Sequence, residues 1–292
     1  MNTTLRAAFW MIGSILSFSA MAIAGRQLAP NFDTFEIMMY RSAFGVLVVI
    51  GIAGATGTWR QITTAHMGLH ALRNLAHFTG QNLWFYAVTV IPLAQVFALE
   101  FTSPLWVIVL SPLILGERMT SVRALAAILG FCGILIVARP SISGLNAGMI
   151  TAASSAIFFA LTIMLTKRLT RTQGITTILF YLTTMQLVFG VVAAGYDGDI
   201  ALPGLATLPL LAVVGFCGLL AHYCLTNALA IAPATVVVPL DFVRLPVIAI
   251  IGMLVYAEAL DLWVFVGAAV IFAGNYLNIW VETRKTPAQP LS

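Results

Sequence analysis

The sequence predicts an all-α polytopic membrane protein with ten transmembrane helices arranged as two inverted five-helix repeats. Three observations carry this. Over 292 residues the chain is 61% hydrophobic and 8% charged, with a mean hydropathy of +1.01, which leaves too few charges to solvate the surface of a water-soluble domain. Its apolar residues run in continuous stretches of about twenty, the helix length that crosses a hydrocarbon layer about 30 Å thick. The second half of the chain also restates the first at a single offset.

The spans fall near residues 7–25, 36–56, 70–90, 95–115 and 122–138, then 146–166, 176–195, 208–230, 236–256 and 262–281. Strands of a membrane barrel would alternate in shorter segments of about ten residues, and these runs are unbroken and longer. The repeat holds without a gap from end to end. Tyr181 minus Tyr40, Pro233 minus Pro92, Phe242 minus Phe101, Glu258 minus Glu117, Phe272 minus Phe131 and Gly274 minus Gly133 all give 141. Charge type follows the same offset, with Arg26 meeting Lys167 and Glu100 meeting Asp241. Residues 1–141 are therefore expected to form one repeat and 142–282 the second, with 283–292 a cytoplasmic tail. Five spans per copy turn the second copy upside down. Inverted repeats around a midplane site are how many secondary transporters obtain two access states from one plan.

Orientation follows from Lys and Arg, which collect in short cytoplasmic connections. With the N-terminus inside, the inner segments hold Arg6, Arg60, Arg118, Arg123, Lys167, Arg168, Arg171, Arg284 and Lys285, and the outer ones only Arg26 and Arg139. Both termini are expected to be cytoplasmic, with the protein in the cell (inner) membrane. The formal charge of +4 then reflects topology, and no nucleic-acid partner is implied. Arg6, the apolar run and Ala22-Ile23-Ala24 imitate a cleaved secretory signal. The counterpart of this segment inside the second copy argues for a retained span. Cys132, Cys217 and Cys224 lie within predicted spans without C-x-x-C spacing and read as small packing residues.

Family resemblance enters at the ends of spans four and nine. The chain reads Leu115-Gly116-Glu117-Arg118-Met119-Thr120 and then AAILGFCG over 126–133; later it reads Tyr256-Ala257-Glu258-Ala259-Leu260 and then GAAVIFAG over 267–274. Tyr86-Ala87, Ile91-Pro92-Leu93-Ala94 and Thr102-Ser103-Pro104 support it, as do Asn227-Ala228 and Ala232-Pro233-Ala234. This resembles the EamA-type domain of the drug/metabolite transporter (DMT) superfamily, two of which make its ten-helix members. The resemblance implies the ten-helix fold and a bacterial exporter, without fixing the cargo. Ala257 stands where the first copy has Gly116. Glu117 and Glu258 read as structural residues in the first turn of the following span, near its positive dipole end.

Ionisable side chains inside spans cost roughly 2.5 to 3.5 kcal/mol each on insertion scales, so each calls for a partner or a wet cavity. Arg41, His77, Glu100, His222, Asp241 and Arg244 are such residues. Asp241 and Arg244 share a helical face at i, i+3 and read equally as an internal ion pair or as a gating element. Glu100 has Ser103 at the equivalent spot, which leaves Arg41 as its candidate partner. On span three Asn74, His77, Gln81 and Trp84 form one stripe, opened by Arg73, that reads as a cavity wall. Span eight is expected to repeat it with His222, Tyr223, Thr226 and Asn227, His222 being the counterpart of Gln81. Tyr40 and Tyr181 add two hydroxyls whose readings, substrate contact or helix packing, are equal. His66 and His70 have metal-ligand spacing on one face, yet no zinc-hydrolase Glu accompanies them. A solvated face is the reading, and no metal or cofactor is expected.

Pro104 and Pro246, with Pro112 and Pro239, lie beside Glu100 and Asp241 in spans four and nine, where lost hydrogen bonds make hinges. Small residues around Ser14, Ser17, Ser155 and Thr162 suit close helix approach in spans one and six. The expected molecule is a secondary transporter with a central cavity between the repeats, walled by spans three, four, eight and nine. Its eighteen Phe, seven Tyr and six Trp suit an aromatic ligand. Export of amino acids, aromatic ones included, is the leading reading, as the resemblance to bacterial EamA-type exporters suggests, with the ammonium held by Glu100 and a proton as candidate coupling ion. A cationic drug/proton antiporter is the nearest alternative; a lipid scramblase or membrane enzyme is the alternative of another class. No glycine-rich phosphate loop or nucleophilic triad pattern appears, so ATP-driven and enzymatic roles have no support in the sequence.

Overall fold

A computed structural model describes residues 3–114, 119–138, 146–232, 237 and 240–285. The helices are α1 (Thr3–Leu28), α2 (Thr34–Thr56), α3 (Met67–Val90), α4 (Leu93–Glu100), α5 (Ser103–Ile114) and α6 (Ser121–Ala138). They continue with α7 (Ala147–Leu169), α8 (Ile175–Ala194), α9 (Leu208–Ile231), α10 (Arg244–Tyr256) and α11 (Leu262–Lys285). No strand occurs among the described residues. Glu117, Arg118, Arg139, Pro233 and Pro239 lie outside the described residues, as does most of the C-terminal tail.

Six stretches, Leu5–Leu28, Thr34–Thr56, Leu93–Leu110, Ala147–Leu169, Ile175–Ala194 and Leu208–Ile231, are long and apolar enough to cross a membrane. Ser121–Val137, Arg244–Tyr256 and Leu262–Asn278 are shorter apolar helices. The helix α3 is long enough but carries the polar stripe, which lowers its hydropathy. Phe9, Leu16, Leu47, Val192 and Leu254 stand exposed on the outside of the bundle, where a soluble protein would place charge.

Packing runs chiefly between the halves of the chain. The helix α1 packs on α9 and α7 on α3, which are equivalent pairings under the offset; α2 packs on α8 and α6 on α11, each against its own counterpart, and α4 packs on α10, the counterpart of α5. The sequence motifs at 126–133 and 267–274 make the α6–α11 seam. A side chain on Gly133 would meet Gly267 O and Ile271, and one on Gly274 would meet Ala126 O. Only hydrogen at these positions permits such backbone approach.

Spans four and nine depart from the continuous helices expected. The first is two helices with a turn at Phe101 and Thr102, and the second restarts at Arg244 after a 3-10 turn at Asp241–Val243. Pro104 and Pro246 fall in the first turns of α5 and α10. There the missing N–H has no intrahelical acceptor to lose, so the prolines mark restarts and do not bend a continuous helix. The freed carbonyls of α4 are met locally: the Thr102 hydroxyl donates to Leu99 O at 2.7 Å and the Ser103 hydroxyl to Glu100 O at 2.5 Å.

Candidate functional site

The two breaks face each other and make the centre of the molecule polar. Glu100 ends α4 and Arg244 begins α10, and the packing of α4 on α10 brings them together. One guanidinium nitrogen, Arg244 Nη2, reaches Glu100 Oε1 and Asp241 Oδ2, each at 2.6 Å. The second oxygen of Glu100 accepts the indole N–H of Trp84 at 2.7 Å. Phe18, Phe97 and Phe101 surround the guanidinium, with ring centroids 5.2, 4.6 and 5.4 Å from its carbon. Arg244 is 2% exposed, so carboxylates and ring faces replace the water it has lost. Asp241 Oδ1 is buried and has no hydrogen-bond partner among the described residues.

These groups line a cavity of about 80 Å³. Its walls pair up at the offset of 141: Phe18 with Phe159, Met21 with Thr162, Gln81 with His222, Trp84 with Leu225, Glu100 with Asp241 and Ser103 with Arg244. The cavity therefore sits where the two copies meet. His77 and His222 stack edge to face at 4.6 Å between ring centres. Both ring nitrogens of His77, and Nε2 of His222, are buried without a partner among the described residues. An unpaired buried polar atom costs about 1–3 kcal/mol, so these three are standing donors or acceptors for a ligand.

The structure brings together His77, Gln81, Trp84, Glu100, His222, Asp241, Arg244 and Pro104 from the sequence reading. Pro246 follows Arg244 by two residues but does not line the cavity. Five other candidates stand outside the cavity. Arg41 is not the partner of Glu100, because α2 packs on α8 and α9 instead of α4; its guanidinium lies over Gly218 with Met38 Sδ at 3.6 Å. Tyr40 donates to Ala201 O at 2.7 Å and fastens the loop before α9. Tyr181 is buried against the ring of His70 at 4.6 Å, and its own carbonyl accepts from the Asn74 amide. Tyr223 is 39% exposed against Trp10, and the side chain of Asn227 donates back to Tyr223 O on the outside of α9. One residue beyond His222 the helix has turned by about 100°, so Leu225, three beyond, faces the cavity instead.

Two further expectations change. His70 is fully buried, not solvated. Glu258 does not serve the helix that follows it: its side chain pairs with Arg26 and accepts from the Leu93 backbone N–H at the start of α4, at 3.0 Å. It is still a carboxylate at a helix N-terminus, but of a helix from the other half of the chain. Sequence reasoning missed that spans one and six line the cavity through Met11, Ser14, Phe18, Met21, Phe159, Thr162 and Ile163. The recurrence of Phe18 as Phe159 at the offset of 141 is the sequence signal that marks them.

Comparison with known proteins accords with this architecture. The sequence model described as the EamA-like transporter family matches residues 5–139 and again 146–280. A riboflavin transporter of Brucella anthropi is 31% identical over 271 residues, covering 91% of this chain and 95% of that one. An S-adenosylmethionine uptake transporter of Rickettsia bellii is 26% identical over 275 residues, 94% of each chain. A riboflavin transporter of Vibrio cholerae is 27% identical, covering 97% of this chain and 95% of its own. A solved crystal structure superposes with a TM-score of 0.67 at 16% identity, covering 96% of this chain and 99% of that one, which shows the fold alone.

Proposed function

Since the chain belongs to the EamA-like transporter family, a multi-pass membrane transporter and not an enzyme, we propose that it carries a metabolite with a planar heteroaromatic ring and a cationic centre. S-adenosylmethionine, the cargo named for one group of relatives, is the type of molecule meant. The observation that supports this reading is the cavity's charge. Glu100 and Asp241 bring two carboxylates against one guanidinium, and Asp241 Oδ1 has no partner among the described residues. A cationic centre fits against that oxygen. Phe18, Trp84, Phe101 and Phe159 supply faces for a flat ring and for an onium group. Gln81 and the His77–His222 pair supply polar atoms for a heterocycle's edge.

Amino-acid export, expected from sequence, placed an ammonium on Glu100. Both oxygens of that side chain are already used, and the relatives are named for S-adenosylmethionine uptake and for riboflavin. Riboflavin is the second reading, favoured by the 31% identity of one such relative and by the unpaired imidazoles. Transport proceeds by alternating access, one half rocking on the other about the cavity. Both termini face the cytoplasm of a bacterial cell whose inner membrane holds the protein, with a proton as the candidate coupling ion. The test is counterflow in proteoliposomes with labelled S-adenosylmethionine, riboflavin and phenylalanine. S-adenosylmethionine exchange is expected, reduced about tenfold or more in Asp241→Asn, the effect of one lost charge-assisted bond. Exchange of riboflavin or phenylalanine alone overturns the cationic reading. A flux indifferent to an imposed pH gradient removes the proton.

A further inference from the structure

The helix α4 is tied to the second half of the chain at both of its ends. At the cavity end its last residue, Glu100, holds Arg244, the first residue of α10. At the other end its first residue, Leu93, donates its backbone N–H to Glu258, two residues past the end of α10, at 3.0 Å. The α4 helix has eight residues, so the two ties lie about 10 Å apart along its axis. The Glu258 tie reaches further. It also takes the Arg26 side chain from the end of α1; that guanidinium stacks 4.7 Å over the Tyr256 ring, and the Tyr256 hydroxyl donates to Ile23 O at 3.0 Å. The end of α1, the start of α4 and the end of α10 are thereby tied together on the Glu258 side.

We infer that Glu258 is a positioning residue for transport: through Leu93 it makes α4 a rigid strut that couples closure of the Glu258 end to the Glu100–Arg244 pair in the cavity. A ligand that competes for Arg244 or its carboxylates loosens one end of the strut and so weakens the other. Conversely, breaking the Glu258 tie opens that mouth and frees Glu100. The inference builds on the alternating-access reading but needs no particular cargo.

The test uses the full-length protein with Cys132, Cys217 and Cys224 replaced by Ala, reconstituted in oriented vesicles. Single reporter cysteines are placed at Met21, which lines the cavity five residues before Arg26, or at Ile163, which lines it four residues before Lys167. A membrane-impermeant maleimide is then added to one face or the other. In Glu258→Gln, labelling of Met21→Cys from the Glu258 side is expected to be about tenfold faster, because a charge-assisted bond is lost from the closed state only, while labelling of Ile163→Cys from the other side slows. Glu100→Gln is expected to speed Met21→Cys labelling as well, although it acts at the far end of α4. Rates unchanged in Glu258→Gln overturn the inference, and so does faster labelling at both reporters, which reports a loosened fold. A response to Glu258→Gln without one to Glu100→Gln makes the two ties independent and overturns the coupling. Because labelling is read without cargo, it can hold while the S-adenosylmethionine reading fails, or fail while that reading holds.

Discussion

Glu100 and Asp241 hold equivalent places in the two halves of the chain, yet their surroundings differ. Glu100 is fully engaged, with Arg244 on one oxygen and the Trp84 indole on the other. Asp241 shares the same Arg244 but keeps Oδ1 without a partner among the described residues. The difference lies in what each repeat supplies around its acid. The counterpart of Trp84 is Leu225, which has no N–H to give, and the counterpart of Arg244 is Ser103, whose hydroxyl is spent on the Glu100 carbonyl. One duplicated plan has thus diverged into a fixed acid and an available one. Under the proposed cationic cargo, Glu100 is the counter-ion that holds the halves together, and Asp241 is the anchor for cargo.

The heaviest blow to that arrangement is Arg244→Met. It strips the cation from both acids at once and leaves two buried carboxylates facing each other. Removing one partner of a buried ion pair costs about 3–5 kcal/mol. Thermal unfolding in detergent should drop accordingly, with transport abolished, and Arg244→Lys should recover only part of the stability because a single ammonium cannot keep the stacking on three rings. Stability equal to the parent's would mean that the two acids are not held by this guanidinium.

Trp84→Phe separates the two acids more gently. The ring survives, but the indole donor is lost, and Glu100 Oε2 then resembles Asp241 Oδ1. A hydrogen bond to a charged group contributes about 1.5–3 kcal/mol, so stability is expected to fall by that order. The freed oxygen becomes a second cation acceptor, so affinity for a cationic cargo is expected to rise relative to a neutral one. Competition binding with S-adenosylmethionine and riboflavin checks the ratio. An unchanged ratio would remove the distinction drawn between the acids.

These pairings show what was legible in the sequence. The spans and the repeat were, because apolar length and a single offset are one-dimensional properties. So was the α3 stripe: His77, Gln81 and Trp84 recur at three and four, and that spacing fixes a shared face whatever the helix packs against. Asp241 and Arg244 were legible for the same reason. Which helix receives a face is a tertiary matter, and there the reading failed. Arg41 was assigned to Glu100 because both are charged, whereas α2 never packs on α4 in this arrangement. Tyr40 and Tyr181, open equally to substrate contact or helix packing, pack away from the cavity, because a shared offset places two residues at equivalent positions without saying that those positions face the centre. Tyr223 and Asn227 were joined to His222 across a helix turn that carries them to the outside.

His77→Leu sharpens the comparison between stability and use. The imidazole has both nitrogens buried without partners among the described residues, so an apolar side chain of similar volume removes a cost of about 1 kcal/mol or more. The variant is expected to unfold at a higher temperature than the parent while transporting less, the pattern of a site kept for its ligand. A fall in both would identify the ring as a packing residue with hydrogen bonds of its own.

The smallest expected effect tests a difference between the repeats that has no part in cargo recognition. Gly116 of the first copy is answered by Ala257, and Ala257 adopts φ 52°, ψ 31°, the left-handed conformation that glycine enters freely. Its position ends α10, where the Glu258 backbone N–H reaches back to Gly252 O at 3.2 Å. An L-residue there costs roughly 1–2 kcal/mol. Glycine relieves that strain but gives back about 0.5–1 kcal/mol through its freer unfolded chain. Ala257→Gly is therefore expected to raise stability by about 0.5–1 kcal/mol, read by thermal unfolding, with maleimide labelling at Met21→Cys unchanged because the Glu258 side chain keeps its partners. Lower stability would show that the alanine methyl makes a contact worth more than the strain. Faster labelling would show that the turn's stiffness itself holds Glu258 against Leu93 and Arg26, making Ala257 a part of the closure and not a tolerated drift from glycine.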